Sequence, residues 1–246
     1  MSEVEIPAGL AEALRGAGSV AAFTGSGISA ESGVPTFREA QTGLWERFDP
    51  QRLATPEAFA RDPELVWEWY EWRRELISRA EPNPGHLALA DLERLVPGFT
   101  LITQNVDGLH RRAGSCSVIE LHGNILRTRC SREGEIVEDF ASEAKPPPCP
   151  RCGAPLRPDV VWFGEMLPPG AFEAASEAAQ NCEVFLSIGT SSLVYPAASL
   201  PFEALEAGAT VAEINPDETP LSAGVDYALR GRAGEVLPAL LDALRG

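Results

Sequence analysis

Ser19-Val20-Ala21-Ala22-Phe23-Thr24-Gly25-Ser26-Gly27-Ile28-Ser29-Ala30 is the stretch that decides the fold. Its first half is a short apolar run without polar alternation, the pattern of a strand buried on both faces. The second half fits G-x-G-x-x-A, a glycine turn that lets backbone N–H groups approach a pyrophosphate at a helix start. A glycine-rich turn alone is as often only a turn, and it is the position straight after the first strand that favours a dinucleotide. A dehydrogenase would continue through a full helix to an acidic residue about 20 positions on. Here Gly33 and Pro35 break the helix early, so residues 29–38 are expected to form a loop over the cofactor.

Outward from that stretch, similar apolar runs at 99–103, 117–121, 183–188, 210–214 and 226–229 are read as further buried strands. Helical periodicity falls at 8–15, 86–96, 171–180, 197–206 and 234–244. This alternation predicts an α/β fold, a doubly wound (Rossmann-like) parallel sheet with helices on both faces. Two stretches interrupt it: 39–84, helical and rich in Trp, Tyr and Arg, and 126–163, with three cysteines and the run Pro146-Pro147-Pro148. They are expected to form a smaller second lobe, leaving 1–38, 85–125 and 164–246 as the large nucleotide-binding domain. A cleft between lobes is where small-molecule sites tend to lie.

The chain has 36 acidic and 20 basic side chains, a formal net charge of −16, so its surface repels polyphosphate and direct nucleic-acid binding is not expected. Such a surface favours cationic, lysine-rich partners, although solubility alone accounts for the same charge. No apolar run approaches the roughly 20 residues that span a bilayer. No basic start followed by an apolar stretch suggests a secretory signal, and five cysteines, an odd number, fit a disulfide framework poorly. A monomer in a reducing cytoplasm, away from membranes, is expected.

Several side chains could carry chemistry. Gln104, Asn105 and Asp107 follow the strand at 99–103, at the carboxyl edge where doubly wound sheets bind ligands, though a polar loop would look the same. His122 follows the next strand, and with an unperturbed pKa of about 6.5 it can accept a proton near neutrality. Of the other histidines, His86 is expected to cap or pack, and His110 to support the loop at 104–107. Tyr70 and Arg73 stand three apart on a helix at 64–79 and share a face, as a solvated surface pair also would. The β-prone run 160–165 suits either an internal strand or strand addition by a peptide. Cys149-Pro150-Arg151-Cys152 is a zinc half-site with Cys130 upstream, but the residue three after Cys130 is Glu133. Three thiolates with a carboxylate or water can bind zinc, and a metal-free knuckle is the alternative. Cys116 and Cys182 are expected to be buried apolar fillers.

Taken together, Thr24 to Arg38 with Ser26 in place of the usual Ala, Gln104-Asn105-Val106-Asp107, Leu121-His122-Gly123, Val160-Val161-Trp162-Phe163-Gly164-Glu165, Gly189-Thr190-Ser191 and Asn215 resemble the sirtuin family. The motifs stand in the family's order and span nearly the whole chain. The resemblance implies NAD as a consumed co-substrate. Gly25, Ser26, Gly27, Ser29, Ala30, Glu31 and Thr36 would form the cofactor loop, with Phe37 shielding C1′ and Arg38 holding phosphates. Asn105 and Asp107 would bind nicotinamide and its ribose, Gln104 the ribose, Gly189, Thr190, Ser191 and Asn215 the phosphates and adenosine ribose, with Ala233 near the adenine.

The implied reaction is attack of an acyl-lysine carbonyl oxygen on C1′ and expulsion of nicotinamide to leave an alkylimidate, which a ribose hydroxyl activated by His122, with Asn105 assisting, then attacks. Water completes the release of free lysine and O-acyl-ADP-ribose. Val160, Val161, Phe163 and Gly164 would hold the acylated-lysine protein substrate. Tyr70-Glu71-Trp72-Arg73 resembles the Tyr-x-x-Arg pair of sirtuins that prefer succinyl- and malonyl-lysine, with Arg74 as a decoy. A complete sirtuin zinc module has two C-x-x-C pairs, so Cys130, Cys149 and Cys152 form a degenerate zinc-ribbon-like set. Rival readings are a sirtuin-like mono-ADP-ribosyltransferase, a non-catalytic NAD-sensing module and, disfavoured by the early helix break, a Rossmann oxidoreductase.

Overall fold

All six apolar runs fold into one parallel sheet in the computed structural model, which describes residues 4–35, 49–140 and 142–246. Its strands are β1 (Ser19–Thr24), β2 (Gly98–Thr103), β3 (Val118–Glu120), β6 (Val184–Ile188), β7 (Thr210–Ile214) and β8 (Tyr227–Leu229). Between β3 and β6 the chain makes a separate antiparallel pair, β4 (Gly123–Cys130) and β5 (Leu156–Val160). The sheet order is β3-β2-β1-β6-β7-β8, so the chain winds outward from β1 and then returns to its other side. That reversal makes β1/β6 the switch point, where loops diverge and doubly wound sheets take ligands.

Helices cover both faces, as the alternation predicts. On one lie α1 (Ala8–Gly16), α6 (Pro84–Leu95) and α10 (Ala233–Arg245), burying Leu10, Leu14, Leu89, Leu92, Leu237 and Leu240. On the other, α8 (Ala171–Asn181) and α9 (Leu200–Glu206) set Ala175, Ala179, Leu200 and Ala204 against Phe23 and Phe185. Among the described residues no helix is long and apolar enough to cross a membrane.

Local chemistry moves some boundaries. The helix expected at 197–206 divides into a 3-10 turn, Ala197–Ser199, and α9, because Pro201 has no N–H to bond the Ala197 carbonyl. The helix expected at 86–96 begins earlier, at Pro84. Asn83 accepts from the N–H groups of Gly85 and His86, and His86 Nδ1 accepts from the Asn83 N–H, closing a capping box. Helix α2 (Ser26–Ala30) is a single turn, stopped before Gly33 at φ +77°. Thr36, Phe37 and Arg38 lie outside the described residues.

In the second lobe α3 (Pro50–Leu53), α4 (Pro56–Arg61) and α5 (Pro63–Arg79) meet the β4–β5 ribbon. Asp62 caps α5 by accepting from the Leu65 N–H at 3.0 Å. One side of α5 buries Val66, Trp69, Tyr70 and Ile77 with Phe59, Ile125 and Trp162, while Trp67 packs on Cys130, Cys149 and Leu156. Arg74 bonds the carbonyls of Ile125 and Arg127 and the Thr128 hydroxyl, which pins α5 to β4 and occupies the decoy arginine. Of the two fillers, Cys182 is buried and its thiol is pushed up to about 11 by desolvation. Cys116 corrects the expectation: it is exposed, its N–H held by the Glu93 carboxylate in the connection ahead of β3.

The loops after β1 and β6 touch backbone to backbone. Gly25 N–H donates to the Ile188 carbonyl at 3.0 Å and Gly27 N–H to the Gly189 carbonyl at 2.9 Å. A Cβ on Gly27 would lie 2.8 Å from Gly189 Cα, and one on Gly189, at φ +57°, would lie 2.6 Å from the Ile28 nitrogen. Gly189→Ala is therefore expected to destabilise the fold by on the order of 1–3 kcal/mol, from the left-handed backbone and the clash together. Urea denaturation reads the effect, and a midpoint equal to the unaltered chain's would show that the loops can part freely.

Candidate active site

Three elements deliver polar side chains to the switch point. Asn105, just past β2, donates from Nδ2 to the Gly25 carbonyl at 3.0 Å and to Ser29 Oγ at 3.1 Å. Ser29 Oγ in turn donates to Asp107 Oδ2 at 2.8 Å, and the Leu109 N–H donates to Oδ1 at 2.9 Å. Burial raises the Asp107 pKa, against the Leu109 N–H, the Ser29 hydroxyl and the charge of Arg73. Thus Ser29, Asn105 and Asp107, expected to act on one ligand, form one buried cluster. The glycines differ from expectation in one respect. The N–H groups of Gly25 and Gly27 are spent on the β6 loop, so these residues serve loop-to-loop contact rather than offering their amides to a pyrophosphate.

Beneath the cluster, His86 Nε2 lies 3.4 Å from Ser29 Oγ and His110 Nε2 lies 2.9 Å from Thr24 Oγ1. Their rings stand 4.9 Å apart. Desolvation lowers His86 to about 4 and His110 well below 6.5, so both are neutral near pH 7. His110 braces Thr24 at the end of β1 and so supports the glycine turn.

Gln104 links two sides of the site, its Nε2 donating to Thr190 Oγ1 at 3.0 Å while its carbonyl lies 3.0 Å from His122 Nδ1. A carbonyl only accepts, so Nδ1 carries the proton and Nε2 is left as the base. Burial lowers the His122 pKa, partly offset by the Gln104 carbonyl. The His122 carbonyl accepts from the Val161 N–H at 3.0 Å, so the second lobe holds the residue from behind. Asn215 Nδ2 donates to the Thr190 carbonyl at 2.8 Å, with Ser191 half-buried next in line. Glu31 accepts from the Gly234 N–H at 2.7 Å, tying the cofactor loop to the start of α10 beside buried Ala233. Ser26 and Ala30 are exposed along the same turn.

The profile of the Sir2 family matches residues 25–196. This chain belongs to the Sir2 family. It is 54% identical over 245 residues to an NAD-dependent protein deacylase of Methylococcus capsulatus, covering 96% of each chain. It is 57% identical over 224 residues to NAD-dependent protein deacylase 2 of Pyrobaculum aerophilum, covering 91% of this chain and 90% of the relative. A solved complex of a Sir2 homologue with NAD superposes with a TM-score of 0.92 at 47% identity, over 100% of this chain and 96% of that one. A Sir2 complex with a p53 peptide and NAD+ superposes with a TM-score of 0.83 at 29% identity, covering 94% and 95%.

On the second-lobe side of this Sir2-family site, Tyr70 Oη accepts from Trp162 Nε1 at 2.9 Å, which leaves the phenol proton to donate elsewhere. The Arg73 guanidinium lies 5.0 Å from the Trp69 ring centre and 5.7 Å from that of Tyr70. Burial raises the Tyr70 pKa, keeping it a neutral donor. Arg73 and Asp107 each favour the other's charged form, against the burial of both.

The run 160–165 is less strand-like than expected. Strand β5 ends at Val160, which is buried, and the next three amides are spent: Val161 on His122, Trp162 on Glu165 and Phe163 on Ala54. Phe163 and Gly164 are exposed beyond them. Thr24 and Trp162 are read from sequence only as members of longer motifs, and Thr103, whose Oγ1 accepts from the Thr24 hydroxyl at 2.9 Å and the Asn105 N–H at 3.0 Å, only as a strand end. Each acts by reaching another residue of the site, which no local pattern marks. The Asn83 cap was signalled by Asn directly before Pro84.

In the ribbon, the Cys130, Cys149 and Cys152 sulphurs and a Glu133 carboxylate oxygen all lie within 4.8 Å of one another. Tetrahedral zinc with Zn–S bonds of about 2.3 Å needs sulphurs about 3.8 Å apart, so this donor set fits the ion.

Neutral buried histidines make stability depend on pH. The unfolded chain takes up the His86 proton near 6.5 and the folded chain only near 4, so the unfolded state gains protons first on acidification. The contribution is fully present above pH 6.5 and lost as pH falls toward 4, amounting to on the order of 3 kcal/mol. Urea unfolding across that window should show the loss, shallower in His86→Gln, and equal slopes for the two proteins would contradict the assignment.

Proposed function

We propose that this chain, an NAD-dependent protein deacylase, removes succinyl and malonyl groups from protein lysines, and acetyl groups as well. The products are nicotinamide, O-acyl-ADP-ribose and free lysine. The observation that carries the acyl reading is the pairing of buried Tyr70 with half-buried Arg73, whose guanidinium lies over the Trp69 and Tyr70 rings, with Arg74 committed to β4. A planar guanidinium suits a carboxylate, and the Tyr70 proton adds a neutral donor.

Bound NAD supplies an anomeric carbon whose bond to nicotinamide is broken. The cluster of Ser29, Asn105 and Asp107 holds the nicotinamide and its ribose, and Gln104, Thr190, Ser191 and Asn215 line the path toward the adenosine, ending near Ala233. Phe37 and Arg38, by the resemblance, would shield the anomeric carbon and hold the phosphates. His122 Nε2 takes the proton of a ribose hydroxyl while Nδ1 stays bonded to the Gln104 carbonyl, and Asn105 fixes the ribose against it. Phe163 and Gly164, with Val160 and Val161 behind them, offer the edge along which an acylated-lysine peptide lies. Cys130, Cys149 and Cys152 would hold zinc in the ribbon, where it would brace the lobe structurally.

A hydrogen bond to a charged group contributes about 1.5–3 kcal/mol, or one to two powers of ten in selectivity. Arg73→Met is expected to lower kcat/KM for succinyl- and malonyl-lysine peptides by that factor or more and to leave deacetylation within about threefold. Equal loss on all three acyl groups would refute the acyl assignment. Because burial lowers the His122 pKa and the base must be unprotonated, the acid limb of kcat/KM is expected below pH 6.5, and a limb centred above 7 would point to another base.

A further inference from the structure

The two turns of the β4–β5 lobe are built alike. In Cys149-Pro150-Arg151-Cys152-Gly153 the Gly153 N–H donates to the Cys149 carbonyl at 2.9 Å and the Cys149 N–H to the Ala154 carbonyl at 2.7 Å. In Cys130-Ser131-Arg132-Glu133-Gly134 the Gly134 N–H donates to the Cys130 carbonyl at 3.0 Å and the Cys130 N–H to the Glu135 carbonyl at 2.9 Å. Each turn ends on a left-handed glycine, φ +70° at Gly153 and +74° at Gly134. Glu133 therefore occupies, in its turn, the place that Cys152 occupies in the other.

Its carboxylate is also where a fourth donor is needed. One oxygen lies within 4.8 Å of all three sulphurs, the Glu133 N–H points at Cys130 Sγ at 3.4 Å, and Cys130 and Cys152 sulphurs stand 3.4 Å apart. Arg151, from the opposite turn, pairs with Glu133 Oε2 at 2.8 Å. A carboxylate has about four lone-pair sites on its two oxygens, so Glu133 can accept from the arginine and still offer an oxygen to the ion.

We propose that Glu133 is the fourth ligand of a three-thiolate, one-carboxylate zinc site, with Arg151 as its positioning residue. Zinc accepts oxygen ligands, but thiolate is the softer and stronger donor, so this site holds the ion less tightly than a four-thiolate one. Trp67 of α5 packs on the same cysteines, so the ion stands directly behind the helix that carries Tyr70 and Arg73.

The test uses the full chain freed of metal with a chelator and titrated with Co²⁺ and Zn²⁺, beside Glu133→Cys and Glu133→Ala. Glu133 is exposed, so both substitutions spare the core. One equivalent of Co²⁺ is expected to give the charge-transfer intensity of three thiolates. Glu133→Cys should raise that intensity, move the ligand-field bands to longer wavelength and bind zinc at least about tenfold tighter, whereas Glu133→Ala should bind about tenfold weaker with thiolate intensity unchanged. The proposal is overturned if Glu133→Ala keeps both the affinity and the band positions of the unaltered chain, or if that chain takes up less than one equivalent.

Discussion

The constraint on which the site depends is the contact between the turn after β1 and the turn after β6, which leaves no room for a Cβ at Gly25, Gly27 or Gly189. Thr24 lies level with Thr103 on one side and Ile188 on the other, so three strands release their loops at one height. Gly25, Gly27 and Gly189 then let two of those loops lie against each other without Cβ atoms between them. Only with the turns so placed does the Gly25 carbonyl meet Asn105 and the Thr190 hydroxyl meet Gln104. The site is a consequence of that seam.

Around the seam, polar groups are buried at a cost that only mutual bonding offsets. Neutral His86 and His110 underlie Ser29 and Thr24, and Asp107 is held by a hydroxyl and an amide at once. The second lobe contributes a rigid chain of its own. Glu165 pairs with Arg157, whose guanidinium stacks 3.3 Å from the Trp162 ring centre, and Trp162 donates to Tyr70. Together with the bond from Val161 to His122, this chain fixes Tyr70 relative to His122.

Much of this was legible in the residues. Buried parallel strands announce themselves as short apolar runs, and Gly33 with Pro35 foretold that α2 would stop after one turn. What escaped is non-local. A glycine turn read in isolation cannot show that its amides go to a loop more than 150 residues away, between Gly27 and Gly189. The run 160–165 has strand-like residues, yet its amides are claimed by His122, Glu165 and Ala54, which lie elsewhere in the chain. Cys116 is exposed although a thiol favours burial, because its backbone is anchored by Glu93 of another element, which local sequence does not show. The sequence allows a carboxylate beside the three thiolates but does not show that the Glu133 turn repeats the hydrogen bonds of the Cys152 turn.

The most direct measurement is mass spectrometry of succinyl-, malonyl- and acetyl-lysine peptides incubated with the protein, with and without NAD, counting nicotinamide against unmodified lysine. Nicotinamide and free lysine should appear in equal amounts, only with NAD present, and most readily from the acidic acyl groups. Acyl loss without NAD, or nicotinamide release with no free lysine, would contradict the account.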